Sequence, residues 1–299
     1  MTAAFLQRDF PSANSVLLEG PLPVLVDTGA PGDDGAVLAW LNGRRPVLVV
    51  NTHWHSDHTG GNQAWSRRGV PIAAAEAEAV IVNAGDLDAC RSRWLRQQVP
   101  PYRVDQMLNP GAILNTGTAS WQVVGLPGHT AAQIGLFEPV SGVLVAGDAV
   151  HESDLGWLDL DADPTALEGA AASLDLIAAL GPRLMLSGHG PAITDVPGAL
   201  QRARRRLASW REQPERIAWH ACKRILGHLL FTEGGLARSD VPGTLLDAPW
   251  FRDHAVRAFG LAPGAFVPLL IEEMIRSGAA GWRGNRLVAG AGQSSEPRR

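Results

Sequence analysis

The chain has 299 residues, 45% of them hydrophobic and 19% charged, with a formal net charge of −4. That balance excludes a disordered or fibrous chain, and the mild acidity supplies no global field that would gather nucleic acid or an anionic membrane. Cys90 and Cys222, far apart and in no CxxC pattern, exclude a disulfide framework and a thiolate zinc site. The start, "MTAAFLQRDFPSANS", has no basic region followed by a long apolar core, and no run approaches the ~20 apolar residues of a bilayer span. A cytoplasmic protein with reduced thiols and no membrane anchor is expected.

In chain order, "SVLLEG" and "PVLVDTG" read as short apolar strands punctuated by Pro and Gly, and "GDDGAVLAWLNG" follows with helical spacing at Val37, Leu38 and Leu41. "RPVLVVNTH" suits a buried strand that ends in a loop at Thr52. A mostly helical region from about Ala75 to Val99 stops at Pro100 and Pro101. "ASWQVVGLPGH", "QIGLFEP" and "GVLVAGD" are short, β-rich and closed by Gly, Pro or Asp. A helix from about Pro164 to Leu180 and the strand "RLMLSGHG" complete a βαβ-like unit, so the order predicts an α/β fold with two sheets or one large one.

After His189 the composition changes. From Pro197 to Glu233 the pattern is helical and Arg-rich, which places a domain boundary near 195: residues 1–195 form the first domain and 196–290 a helical accessory domain. "APGAFVPLLIEEMIRSGAAGWRGNRLVAG" reads as an amphipathic helix stopped at Gly278, then a hairpin turning at Gly284 and Asn285, the outline of a winged helix. The tail, 291–299, is expected to be disordered, and there is no internal repeat.

"NTHWHSDHTGGN" packs His53, His55, Asp57 and His58 into six positions after an apolar strand. In an extended segment 53, 55 and 57 project to one side, with His58 coming from the turn that follows. Imidazole and carboxylate suit zinc, manganese or iron, and four donors in six residues are enough to serve two ions. The alternative is a solvated loop that happens to be His-rich. His129 in "GLPGHTAAQ", Asp148 in "LVAGDAV" and His189 in "LMLSGHGP" each end an apolar strand beside a glycine, where a side chain can turn into a shared cleft.

Together these residues resemble the metallo-β-lactamase superfamily, whose pattern is HxHxDH followed by separate His, Asp and His, over roughly residues 12–195. The resemblance implies an αββα sandwich with a dimetal site at one edge. It assigns His53, His55 and His129 to one metal, Asp57, His58 and His189 to the other, and Asp148 to both. Asp27 matches a position that supports the metal loop from behind; an aspartate opening a turn at Gly29 is the competing reading. Two divalent ions, zinc first and iron or manganese as alternatives, would lower the pKa of a shared water toward ~7 and hold a bridging hydroxide, with Asp57 as the catalytic residue that orients or relays its proton.

The resemblance also bears on the substrate. Asp148 stands where antibiotic-hydrolysing branches usually carry Cys or Ser, so the site looks more like the glyoxalase II, lactonase and phosphodiesterase or nuclease branches. Flavodiiron-type redox members typically have Glu where this chain has His55. The C-terminal third resembles the accessory domain of the β-lactamase-like protein 2 group, although the His-Arg pair that opens its linker helix is missing from "LQRARRRLASW". The leading expectation is a dinuclear hydrolase of a small-molecule ester, thioester or lactone. The rivals are a phosphodiesterase or single-strand RNA endonuclease, and a winged-helix regulatory protein that binds nucleic acid. Arg202, Arg204, Arg205 and Arg206 read either as a guide for a polyanion or, in preference, as a solvated helix face. Nucleic acid is not the favoured partner, and a homodimer is compatible with the chain. His151, Trp157 and Trp54 are candidate substrate contacts, with ordinary packing the alternative for each; His220, His228 and His254 receive no role.

Overall fold

The computed structural model describes residues 2–290; the expected disordered tail lies outside them. The chain divides into two compact units, residues 1–92 with 98–207 and residues 93–97 with 208 onward.

The first unit is built on two sheets. One runs in sequence order through β1 (Ala3–Leu6), β2 (Ser15–Leu18), β3 (Val24–Val26), β4 (Leu48–Val50), β5 (Ile72–Ala75) and β6 (Gln106–Leu108). Its first three strands pair antiparallel and the rest parallel. The other runs β11 (Leu184–Ser187), β10 (Val143–Gly147), β9 (Ile134–Glu138), β8 (Ser120–Gly125) and β7 (Ile113–Asn115), antiparallel except for β10 with β11.

Both faces of the first sheet are covered, which is why its strands read as unbroken apolar runs rather than alternating ones. Val16, Leu18, Val24, Val26, Leu48 and Val50 face inward and meet Trp121, Val123, Ile134, Leu136, Val145 and Leu186 of the second sheet. The intervening Leu17, Leu25, Val49 and Ile72 point outward, against Val37 and Leu41 of α1 (Asp34–Leu41) and Trp65. Trp65 lies on α3 (Asn62–Ser66), which the short α2 (Ser56–Thr59) precedes in the chain.

One expectation is refined and one corrected here. The mostly helical region from about Ala75 to Val99 is not continuous: Ala75 ends β5, α4 (Glu76–Ala84) stops at Gly85, and α5 (Ser92–Leu95) is the helix between Gly85 and Val99. Gly85 takes φ +67°, and its N–H bonds the carbonyls of Ile81 and Val82, closing the last turn. The metal-motif segment is not extended throughout either, because α2 starts at Ser56 with His55 at its N-cap, so Asp57 and His58 come from a helical turn.

On the outer side of the second sheet, α6 (Ala166–Leu180) lies against the segment before His129. The Ser173 hydroxyl donates to the Pro127 carbonyl at 2.7 Å. α7 (Val196–Glu212) follows, and Arg204 on it pairs with Asp175 of α6 at 2.9 Å. The layers are therefore helix, sheet, sheet and helix.

The second unit contains α8 (Glu215–Thr232), whose Ile217, Ala221, Ile225 and Leu226 are buried at helical spacing. After it come β12 (Leu236–Ala237), α9 (Val241–Asp247), α10 (Pro249–Asp253) and a single π turn at His254–Ala258. α11 (Pro263–Arg276) and the hairpin of β13 (Ala280–Arg283) and β14 (Arg286–Ala289) close the unit, with a sheet order of β12-β14-β13. Phe266 is its aromatic hub, stacked on Phe251 and Phe259 with ring centroids at 5.2 and 4.6 Å. Among the described residues no single helix is long and apolar enough to cross a membrane.

Trp121, fully buried between the two sheets, is the largest single contributor to the sandwich core. Trp121→Ala should lower the unfolding free energy by about 3–5 kcal/mol, because transfer and cavity costs add. Urea unfolding followed by circular dichroism measures this; a loss below about 1 kcal/mol would mean that the sheets do not pack through Trp121.

Candidate metal centre

The seven ligand-type residues singled out in the sequence come together where strands of both sheets end. His53, His55, Asp57 and His58 follow β4 and enter α2; His129 follows β8, Asp148 follows β10 and His189 follows β11. Their donor atoms form three overlapping groups, each within 4.8 Å: His53, His55 and His129; His53, His58 and Asp148; and Asp57, His58 and His189.

The tautomers are set from outside the cluster. Asp27 follows β3 at φ +56°, a left-handed conformation that Asp tolerates better than most residues. Its Oδ1 accepts the Thr52 N–H at 2.8 Å; its Oδ2 accepts both the Thr52 hydroxyl and His58 Nδ1–H, each at 2.8 Å. The Thr52 hydrogen is thereby used, so Thr52 Oγ1 accepts from His53 Nδ1 at 3.1 Å. His129 Nδ1–H donates to the Trp157 carbonyl at 2.7 Å. The Nε2 atoms of His53, His58 and His129 are therefore all turned inward. Asp27 thus supports the loop from behind and does not merely open a turn.

In the three-histidine group, His55 Nδ1 stands 3.0 Å from His53 Nε2 and 2.8 Å from His129 Nε2. At most one hydrogen, that on His55, is available to both neighbours. Burial pushes His53 and His55 well below the usual imidazole range and lowers His129, so the three are neutral near pH 7. Neutral imidazoles with converging lone pairs are the form that a divalent cation needs.

The other group carries charge. His189 Nε2 lies 3.0 Å from Asp57 Oδ2, and His58 Nε2 lies 3.9 Å from the same oxygen. Burial opposes a proton on His58, but Asp27, Asp148 and Asp57 outweigh it and hold the ring well above its usual range. Burial likewise opposes charge on Asp148, and His189, His58 and His151 outweigh it, so the carboxyl stays ionised far below the usual range.

Asp148 sits between the groups. Its Oδ2 is 3.6 Å from both His129 Nε2 and His189 Nε2, and its Oδ1 is 3.4 Å from His58 Nε2. His58 Nε2 and Asp148 Oδ1 are both buried without a good hydrogen bond. Orphaned atoms of this kind, aimed at one point between neutral imidazoles and ionised carboxylates, fit a pair of divalent cations. The close approach requires glycine at 188: a Cβ there would fall 2.1 Å from Asp148 Oδ1.

The segment after Asp148 folds back over the cluster. The Gly156 N–H donates to the Asp148 carbonyl at 2.9 Å, and a Cβ on Gly156 would stand 2.7 Å from the His129 ring. This brings Trp157 flat onto His55, ring centroids 5.4 Å apart and 16° between planes, and edge-on to His129. Trp157, a candidate substrate contact in the sequence, is thus in direct contact with two of the histidines. His151 Nε2 reaches to 3.4 Å from Asp148 Oδ1. Trp54 is half-buried between His53 and His55, and its carbonyl accepts the Thr59 hydroxyl at 3.3 Å.

The arginine run belongs to this same loop. Arg202 Nε donates to the Glu152 carbonyl at 2.8 Å, and Arg206 Nε pairs with Asp154 at 2.8 Å, while Arg204 is held by Asp175. Three of the four arginines are engaged in intramolecular pairs, which leaves the polyanion reading without its main support. Sequence reasoning missed Thr52 and Asn14, whose side-chain amide bonds the carbonyls of Ser187 and Gly190 at 2.9 Å and brackets His189. Neither has a residue-type signature, since hydroxyls and amides beside strand ends are common. His228 and His254 of the second unit bond Gln97 and the Trp250 carbonyl, away from any donor cluster.

Comparison with known proteins agrees with this arrangement. The family model described as the metallo-beta-lactamase superfamily matches residues 8–189, more than half of the chain. The acyl-coenzyme A thioesterase MBLAC2 of Gallus gallus is 31% identical over 131 residues, which cover 39% of this chain and 46% of that protein. The hydroxyacylglutathione hydrolase of Anaeromyxobacter dehalogenans is 33% identical over 164 residues, 54% of this chain and 56% of that protein. The chain thus spans about half the length of these curated relatives. A solved metallo-beta-lactamase family protein from Thermus thermophilus shares the fold, with a TM-score of 0.61 at 23% identity over 96% of this chain and 98% of that one. The sandwich, the donor cluster at its edge and a family match over more than half the sequence lead to one conclusion: the chain belongs to the metallo-beta-lactamase superfamily.

Proposed function

We propose that the protein is a metal-dependent hydrolase that cleaves a small-molecule thioester at a dinuclear centre, with simple esters and lactones as secondary substrates. The observation that carries the reading is Asp148, set between a neutral three-histidine group and a charged Asp-His-His group. The substrate preference follows the two curated relatives, one named for acyl-coenzyme A and the other for hydroxyacylglutathione, both of which are thioesters.

His53, His55 and His129 would hold one cation, Asp57, His58 and His189 the other, and Asp148 both. Five imidazoles with two carboxylates suit zinc best; iron and manganese accept the same donors. When bound, such a pair supplies Lewis-acid polarisation of a carbonyl oxygen and strong acidification of a water. The chain's own residues do the rest. Asp57, beside His189 and on the side of the cluster away from the neutral triad, takes the proton that the attacking water loses. Trp157 and Gly156 cover His55 and His129 and keep bulk water from the triad. His151, whose Nε2 is too far from Asp148 for a good hydrogen bond, donates to a substrate oxygen. A thiolate leaving group needs little protonation to depart, so a site without a buried strong acid is sufficient.

Three predictions test this reading. Purified protein should carry close to two divalent ions per chain by elemental analysis, and full chelation should abolish hydrolysis of an acyl-thioester panel until zinc is returned. Turnover that survives complete metal removal would overturn the proposal. Asp148→Ala should lower kcat/KM by at least ~10²-fold, with loss of bound metal. His151→Phe should cost ~10–100-fold in kcat/KM, the loss of one good hydrogen bond, while both ions are retained. Metal loss in His151→Phe would instead make His151 a ligand.

A further inference from the structure

Glu78 is a carboxyl that nothing described so far uses. It lies in the first turn of α4, where "AEAEA" leaves Glu76 exposed and turns Glu78 inward until it is only 2% exposed. Burial pushes its carboxyl up to about 8, and no lysine or arginine is among the main groups that act on it. A protein retains such a costly buried group where its hydrogen bonds do something that an apolar side chain cannot.

The partners of Glu78 show what that is. The Thr130 hydroxyl donates to Glu78 Oε1 at 2.7 Å, and the backbone of Trp54 lies close enough to act on the same carboxyl. Trp54 is the residue between His53 and His55, and Thr130 is the residue after His129. One side chain therefore reaches both segments that supply the three-histidine group, with a hydrogen bond to one and the backbone of the other beside it. Those segments come from different sheets and lie 74 residues apart between His55 and His129, so the local backbone cannot fix their relative position.

We infer that Glu78 is a positioning residue, a staple behind the three-histidine half of the centre that holds the His53–His55 segment and His129 in register. Its hydrogen bond goes to Thr130, the residue after His129, so the structural effect expected of it falls on the three-histidine half. The metal consequence rests on the dinuclear reading above; the staple itself does not, and it can be read in metal-free protein.

The test uses the full chain as wild type, Glu78→Gln, Glu78→Leu and Thr130→Val. Gln matches the neutral carboxyl in shape and keeps an acceptor; Leu keeps the bulk alone. In metal-free protein, hydrogen exchange should protect the Trp54 amide in wild type and Glu78→Gln and expose it in Glu78→Leu. In a zinc titration against a chromophoric chelator, Glu78→Leu and Thr130→Val should weaken one of two sites by ~10–100-fold. The other site should be unchanged, and Glu78→Gln should restore wild-type behaviour. If Glu78→Leu does not fold, Thr130→Val and Glu78→Gln carry the same comparison. Equal weakening of both sites, a Gln variant as impaired as Leu, or an exchange pattern indifferent to residue 78 would each overturn the inference. Wild-type protein that keeps the exchange pattern but binds no metal would overturn the dinuclear reading and leave the staple standing.

Discussion

One carboxylate, Asp27, sets the reference for the centre. It accepts three hydrogen bonds from the loop after β4, and each removes a freedom that the cluster cannot tolerate. The Thr52 N–H fixes the exit of the strand, the Thr52 hydroxyl fixes which way His53 must donate, and His58 Nδ1 fixes the direction of His58 Nε2. Five histidines crowded at one strand edge could otherwise satisfy one another in many tautomeric arrangements, each with a different set of lone pairs. Asp27 and the Trp157 carbonyl between them leave three of the five with a single arrangement. That is preorganisation by hydrogen bonding, with the cost met by the sandwich that holds β3 and β4 side by side.

The sequence was informative where chemistry and chain geometry coincide. His53, His55, Asp57, His58, His129, Asp148 and His189 each close an apolar strand or start the turn after it, so strand prediction alone places them at one edge. The two-sheet core was legible for a related reason: runs such as "VLV" and "LVV" lack alternation because both faces are covered. The break at Gly85 was harder to see, because the residues beyond it keep helix-forming composition and only the left-handed glycine ends the turn. Glu78 was invisible for a different reason. "AEAEA" is what a solvated helix start looks like, and only the third dimension shows that one of its two glutamates faces inward. The partners of the arginine run were equally hidden: beside Asp195 close by in the chain, they are a carbonyl at Glu152 and carboxylates at Asp154 and Asp175, about 30 to 50 residues away.

The two halves of the centre are unequal in charge, and the surroundings maintain the difference. Beside the shared Asp148, the first half has three neutral imidazoles, whereas the second adds a further carboxylate, Asp57. A cation in the first half would have less of its charge neutralised and would be the stronger polariser of a carbonyl oxygen. An ionised carboxylate behind that half would erode the asymmetry. Glu78 stands there, yet burial, the largest influence on it, pushes its carboxyl up to about 8 and keeps it mostly neutral at pH 7. It can therefore accept a hydrogen bond from Thr130 and lie beside the Trp54 backbone without adding a negative field to the triad. A serine or asparagine is too short to span the same two partners from α4, and a charged residue would span them at the expense of the asymmetry. A buried glutamic acid meets both requirements, which is the physical reason for its place there.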